Sequence, residues 1–298
     1  MIDKLAGEPR LRVALQKSGK LSEGSIELLN KCNFNLHPLK NHYLIHSREL
    51  NTDFLMVRDD DIPGFIDSRV CDIGIIGENL FVEYQLSGRN QNVEIISRLK
   101  FAHCRLSIAV TVDGLIKTIA DLNGKTIATS YPAILKDYLY KNNISANIIV
   151  MHGSVELAPK IGIAQAVCDL VSTGTTLKEN GLIELAVLLE SEAVLVGHRE
   201  CTSDVQSIIR ELDFRFQSVI KAKNKKYIML HIEKAKLGLL KDILPGCEAP
   251  TILELHGYPD KVVVHVVSED TLFWNTITNL KKIGASSILS IAIEKMMD

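Results

Sequence analysis

The run Ile73-Gly74-Ile75-Ile76-Gly77 carries no polar side chain at any position. A strand of this kind needs both faces covered, which points to a parallel sheet flanked by helices. Neighbouring segments agree. Arg10 to Gln16 alternates around Leu11, Val13 and Leu15 and predicts a strand. The turn Gln16-Lys17-Ser18-Gly19-Lys20-Leu21-Ser22 follows, then a helix capped by Ser22 that buries Ile26, Leu28, Leu29 and Cys32. Residues 54–58 predict a further strand leading into Arg58-Asp59-Asp60-Asp61-Ile62-Pro63, where an aspartate and Pro63 suit a helix start. Strands joined through helices make βαβ units, and their ligands gather at the C-terminal ends of the strands.

Lys17, Lys20 and Arg58 fall at such ends, and a guanidinium there can bind phosphate bidentately. The lysine-containing turn reads equally as an anion site and as an ordinary solvated loop. Asp72 and Glu78 bracket the central apolar strand and could hold a ribose, a metal or an amine, or simply cap a helix.

A second α/β series follows. Strands are predicted over 106–111, 126–129, 148–151 and 169–171, with helices over 115–122 and 133–141 and a short one ended by Pro159. The last crossing is Asp169-Leu170-Val171-Ser172-Thr173-Gly174-Thr175-Thr176. A hydroxyl-rich, glycine-containing loop between a buried strand and a helix aims N–H and O–H donors one way, which outlines a phosphate cradle. Asp169 stands where a ribose hydroxyl could be held. Thr176 and Glu179 have capping-box spacing, so Thr176 caps its own helix as readily as it touches a ligand.

Strands over 185–189 and 193–196 are read as leading back to the first domain, followed by a helix over 203–223. The charged stretch 221–226 marks a boundary. Beyond it the order is strand 227–232, helix 237–244, strands 251–255 and 262–267, helix 271–283 and strand 288–293, a ferredoxin-like βαββαβ unit. Its sheet edges invite pairing with another copy. The expected division is therefore 1–104 with 185–225, then 105–184, then 226–298.

Composition removes several classes. A net charge of −2 gives no broad basic field, so nucleic acid is not an expected partner. No apolar run is long enough to cross a membrane, and the mixed, polar start Met1 to Pro9 is not a signal peptide. The 6 cysteines are scattered without a CxxC pair and read as reduced thiols of a cytoplasmic protein. No GxxxxGK[ST] or GxGxxG occurs. His37, His42 and His46 lack zinc spacing, and His152, Ser154 and Asp169 lack a G-x-S-x-G elbow.

Several runs together resemble ATP phosphoribosyltransferase of the long form. They are Ala14-Leu15-Gln16-Lys17-Ser18-Gly19-Lys20-Leu21, Val57-Arg58-Asp59-Asp60-Asp61-Ile62-Pro63-Gly64, Asp72-Ile73-Gly74-Ile75-Ile76-Gly77-Glu78-Asn79, Ala128-Thr129-Ser130-Tyr131-Pro132 and Asp169-Leu170-Val171-Ser172-Thr173-Gly174. The resemblance implies a two-lobed, periplasmic-binding-protein-like catalytic core with a C-terminal regulatory domain. It implies transfer of the phosphoribosyl group of phosphoribosyl pyrophosphate to N1 of ATP adenine with Mg²⁺, opening histidine biosynthesis. Histidine is the implied feedback inhibitor, and a dimer converting to a hexamer the implied assembly.

Placed on these positions, Lys17, Arg58 and Asp169 are the expected catalytic residues. Asp169, Ser172, Thr173, Gly174, Thr175 and Thr176 would bind phosphoribosyl pyrophosphate. Gly19, Lys20, Asp72, Glu78 and Tyr131 would bind ATP. Thr251, Ser286 and Ser287 would receive histidine, or serve only strand-edge hydrogen bonds. The commoner phosphoribosyltransferases place two acidic residues before their loop; here Cys168 leaves Asp169 alone. The competing reading is a two-lobed cytosolic small-molecule sensor with a regulatory tail.

Overall fold

The computed structural model describes residues 10–37, 43–88, 92–244, 250–269 and 273–297. The chain forms two compact units, Met1–Asp213 and Phe214–Asp298. In chain order the first begins with β1 (Leu11–Gln16), α1 (Lys20–Lys31), β2 (Leu44–Ser47), β3 (Thr52–Val57), α2 (Ile62–Asp67), β4 (Ile73–Gly77), α3 (Glu78–Leu86) and β5 (Val93–Arg98). It continues with β6 (Cys104–Thr111), β7 (Thr126–Thr129), α4 (Pro132–Lys141), β8 (Asn147–Val150), β9 (Ala166–Val171), α5 (Thr175–Glu179), β10 (Leu182–Ser191) and β11 (Ala193–His198). The helix α6 (Ser203–Ala222) runs on into the second unit, which adds β12 (Lys225–Glu233), α7 (Leu240–Ile243), β13 (Thr251–Glu254), β14 (Lys261–Glu269), α8 (Phe273–Lys282) and β15 (Ser286–Ala292).

Two sheets build the first unit. One has the order β2-β3-β1-β4-β11-β5, the other β10-β6-β9-β7-β8. In the first, β1 pairs in parallel with both β3 and β4, while β11 runs antiparallel between β4 and β5. The apolar run behaves as its pattern requires: Ile73, Ile75 and Ile76 are fully buried, as are Leu11, Val13 and Leu15 beside them. Each such side chain contributes about 1.5–3 kcal/mol by leaving water. The second sheet has its own core of Leu106, Ile108, Ile127, Leu135 and Cys168.

Several local expectations change. α1 starts at Lys20 rather than after Ser22; Gly19 precedes it with φ 95°, and Ser22 is buried on the first turn. The helix expected over 115–122 shrinks to one 3₁₀ turn, Ile119–Leu122. Asp121 captures the N–H groups of Lys117 and Thr118, and Leu115 is 96% exposed, so the stripe that would dock a longer helix does not exist. Gly174, not Thr176, occupies the N-cap of α5, so no capping box forms there. The helix over 237–244 is a 3₁₀ stretch, Lys234–Leu239, followed by the single turn α7. β10 stays in the second sheet, paired with β6 from Leu182↔Thr111 to Ser191↔Cys104; only β11 rejoins the first. Leu185, Leu188 and Leu189 of β10 pack on the second core, which holds it there.

The two lobes are joined by the passage from β5 to β6 and by the turn from β10 into β11. These passages hydrogen-bond to each other: Leu99 N–H donates to Ala193 O at 2.9 Å, and Ala193 N–H to Phe101 O at 2.9 Å. Lys100 and Ala102 adopt left-handed backbone, φ 53° and 52°, at a cost of roughly 1–2 kcal/mol each. Phe101 packs against α1 at Gly24, where a Cβ would fall 2.5 Å from its ring.

The second unit holds a four-stranded sheet in the order β13-β14-β12-β15 with every pairing antiparallel. With its helices this is the ferredoxin-like order. Ile228, Leu230, Val264 and Leu280 lie in its core.

Candidate functional site

The parallel register of β1 and β3 places Gln16 beside Val57. Lys17 and Arg58 therefore leave the C-terminal ends of adjacent strands, and Lys17 N–H donates to Val57 O at 2.8 Å. Gly77 ends β4 on the other side of β1. The expected polyphosphate residues of this lobe thus share one sheet edge. Lys17 Nζ donates to Tyr43 Oη at 3.1 Å and sits 4.5 Å over that ring. The Arg58 side chain is 76% exposed and 3.9 Å from Asp60. Lys20 opens α1 and is exposed. Asp59 accepts from Gln16 Nε2 at 3.3 Å; burial, then the neighbouring Asp60, pushes its carboxyl above the usual range.

In the other lobe, Asp169 lies half-buried in β9, two residues before its end, its carboxylate accepting the Leu170 N–H at 2.8 Å. Burial raises its pKa, and the Glu156 charge adds to this. Cys168 before it is wholly buried against Thr129, its thiol pushed up to about 12, which makes it a core thiol. The loop 172–174 is open. Thr173 Oγ1 and Thr175 Oγ1 lie 3.0 Å apart, Gly174 has φ 80°, and the N–H groups of Thr173 and Gly174 donate to no group among the described residues. α5 has 5 residues, so any attraction of this loop for an anion would come from its own donors more than from a helix dipole. Arg105 reaches the Ser172 carbonyl at 3.4 Å while paired with Glu184.

Tyr131 connects the two halves. It immediately precedes α4, and its pKa is raised by burial first, then by the charges of Asp169, Asp59 and Asp60. Asp59 and Asp60 of one lobe and Asp169 of the other therefore all lie within electrostatic reach of one phenol. Anion donors thus stand on both lobes, Lys17 and Arg58 on one and the 172–176 loop on the other.

Not every expected residue joins them. Asp72 precedes β4 and so lies at the opposite, N-terminal edge of the sheet, where its carboxylate accepts the Arg12 N–H at 2.7 Å. It does not bracket the ligand end, because the two ends of β4 lie at opposite edges of the sheet. Glu78 does stand at the ligand end, but Arg98 grips it with two hydrogen bonds, one of 2.6 Å, and also holds Glu192 at 3.1 Å. Glu78 thus belongs to an ion-pair cluster at the lobe crossing rather than offering a free carboxylate. Thr251 lies on β13 and Ser286 and Ser287 on β15, the two opposite edges of one sheet, so a single chain does not bring them together.

Of the histidines set aside as metal ligands, His46 pairs with Asp53 at 2.8 Å, and His42 lies outside the described residues. Among the described residues no group of three or more His, Cys, Asp or Glu gathers as a metal cage. Two residues were missed by the sequence reading: Asn79 and Glu83, which tie α3 to the turn holding Tyr131. Their i, i+4 spacing was the available signal.

Of solved structures, the ATP phosphoribosyl transferase (HisG:HisZ) complex from Thermotoga maritima is similar at 26% identity and TM-score 0.58, over 70% of this chain and 98% of that one. The alkanesulfonate-binding protein SsuA from Xanthomonas axonopodis pv. citri is a fainter likeness, at 17% identity and TM-score 0.48, over 71% of this chain and 73% of that one. The periplasmic aliphatic sulphonate binding protein SsuA from Escherichia coli is comparable, at 17% and 0.48, over 70% and 72%. The family model for HisG, ATP phosphoribosyltransferase, matches residues 58–218, and that for the HisG C-terminal domain matches residues 222–295. The two matches take in Arg58, the loop after Asp169 and the appended sheet, and the chain belongs to the ATP phosphoribosyltransferase family.

Proposed function

We propose that the chain transfers the phosphoribosyl group of phosphoribosyl pyrophosphate to N1 of ATP adenine, releases pyrophosphate, and is inhibited by histidine. What supports this reading is the open 172–176 loop beside Asp169 on one lobe and the Lys17 and Arg58 strand ends on the other, with Asp169, Asp59 and Asp60 all within electrostatic reach of Tyr131. In this reading the free N–H groups and hydroxyls of the loop hold the 5′-phosphate. Asp169 orients the ribose hydroxyls. Lys17, Lys20 and Arg58 meet the polyphosphates and stabilise the charge that builds on the departing pyrophosphate. Adenine N1 is the nucleophile, so catalysis needs alignment of the two substrates and electrostatics, with no covalent enzyme intermediate.

The donor set fits Mg²⁺. Asp169 has no ion pair among the described residues, so its remaining lone pairs are available, and Mg²⁺ is commonly held by one or two carboxylates plus substrate oxygens and water. The ion would neutralise pyrophosphate oxygens. The enzyme's role in histidine biosynthesis makes histidine a sensible effector, and the appended sheet is the element available to receive it.

Purified protein mixed with ATP, phosphoribosyl pyrophosphate and Mg²⁺ should release pyrophosphate, and histidine should suppress the release. Absence of pyrophosphate would overturn the transferase reading. Turnover indifferent to histidine would remove the inhibitor alone.

A further inference from the structure

Asn79 is the second residue of α3 and is only 4% exposed. Its Nδ2 donates to Tyr131 Oη at 3.1 Å, and its Oδ1 accepts from Ser191 Oγ at 2.8 Å. Its backbone N–H donates to the same Ser191 oxygen at 3.0 Å. Ser191 is itself buried and ends β10 where the chain crosses between lobes. One turn further along the same face of α3, Glu83 accepts the N–H groups of Ala133 at 2.7 Å and Ile134 at 2.9 Å. Residues 131–134 of one lobe are thus held at two points by one helix face of the other.

Gly77 is part of the arrangement. A Cβ at this position would fall 2.2 Å from Asn79 Oδ1, so the side chain can fold back in this way only over a glycine. Tyr131, at the far end of the chain of hydrogen bonds, stands within reach of the charges of Asp169, Asp59 and Asp60. Tyr131 is half-buried beside the core of the second sheet; an aromatic ring can stack on a purine, and stacking depends on the ring being held in one orientation.

We infer that Asn79 is a positioning residue that fixes the Tyr131 ring for the base of ATP, an inference that rests on the transferase reading. Asn79 itself touches no substrate. It sets the phenol by a hydrogen bond whose other end is anchored at the lobe crossing, so the orientation of the ring follows the relation of the two lobes.

The test is steady-state kinetics of pyrophosphate release for Asn79→Ala, Tyr131→Phe, the double variant and Gly77→Ala. Asn79→Ala should raise KM for ATP about five- to tenfold and leave KM for phosphoribosyl pyrophosphate within about twofold. Tyr131→Phe, which keeps the ring and loses only the hydroxyl, should do the same. The double variant should be no worse than either single one. Gly77→Ala should reproduce the pattern by displacing the amide.

An unchanged KM for ATP in Asn79→Ala, or losses that multiply in the double variant, would overturn the inference. So would equal increases in both KM values together with a lowered thermal midpoint, the mark of a merely structural role. If Asn79→Ala does not fold, Tyr131→Phe decides alone. A wild-type enzyme without turnover overturns the transferase reading and this inference with it; an active wild type with an indifferent Tyr131→Phe overturns this inference only.

Discussion

The Ala133 N–H donates to the Glu83 carboxylate at 2.7 Å, although Glu83 follows a strand of the six-stranded sheet and Ala133 a strand of the five-stranded one. Glu83 also takes the Ile134 N–H, so it caps α4 from outside the lobe that contains that helix. Glu83→Ala should leave two first-turn donors without a partner and cost about 1–2 kcal/mol in chemical denaturation. Glu83→Gln, which keeps one acceptor, should lose about half as much. An unaltered midpoint for Glu83→Ala would show that water replaces the cap at no cost.

Asp169 has a pKa above its ordinary 3.8 because burial disfavours its charged form. As pH rises through the interval between 3.8 and the folded value, the unfolded chain has released its proton while the folded chain still holds it. Stability from this group therefore falls as pH rises across that interval, and stays low above it. Asp169→Asn should be more stable than wild type at neutral pH, with the difference fading below 3.8, and should lose turnover. Denaturation midpoints across pH, set beside activity, check both halves. A variant less stable than wild type at neutral pH contradicts the assignment.

Gly174 has φ 80°, and a Cβ there would be 3.9 Å from Val171, so space is available and the cost of a side chain is conformational. Gly174→Ala combined with Thr173→Val should raise KM for phosphoribosyl pyrophosphate on the order of tenfold, from left-handed strain plus one lost hydroxyl. KM for ATP should change little. An unchanged KM for phosphoribosyl pyrophosphate would remove the loop from the 5′-phosphate.

Alanine in place of a mid-helix glycine normally stabilises by about 1 kcal/mol. Gly24→Ala should do the opposite, because its methyl would lie 2.5 Å from the Phe101 ring at the lobe crossing. Overpacking of this kind costs about 1–3 kcal/mol. A rise in thermal midpoint would mean that Phe101 moves aside freely.

The parts of the fold legible in the sequence were those whose pattern and surroundings agree. The run Ile73-Gly74-Ile75-Ile76-Gly77 is a central strand buried on both sides, and the βαββαβ unit closes with the expected strand order. β2 escaped notice because it is 4 residues long and half-exposed, with little pattern to find. β10 was assigned to the wrong sheet because pairing partners are set by three-dimensional register, which hydrophobic periodicity does not encode. The same limit governs the site. The loop after Asp169 announces itself by its residue types, whereas Asp72 could be placed only once the direction of β4 fixed which end faces the ligand. The contacts of Asn79 escape the sequence for the complementary reason: its partners, Tyr131 and Ser191, are 52 and 112 positions away.

Thr251 and Ser286 stand on the two outer strands of one four-stranded sheet, roughly 14 Å apart at the usual strand spacing. That is more than one amino acid can span. In the proposed reading, an effector that contacts both residues would do so by bridging two copies of the protein, one offering β13 and the other β15. Its binding would then be coupled by mass action to association. Such an inhibitor measures two abundances together, its own and that of the enzyme it restrains.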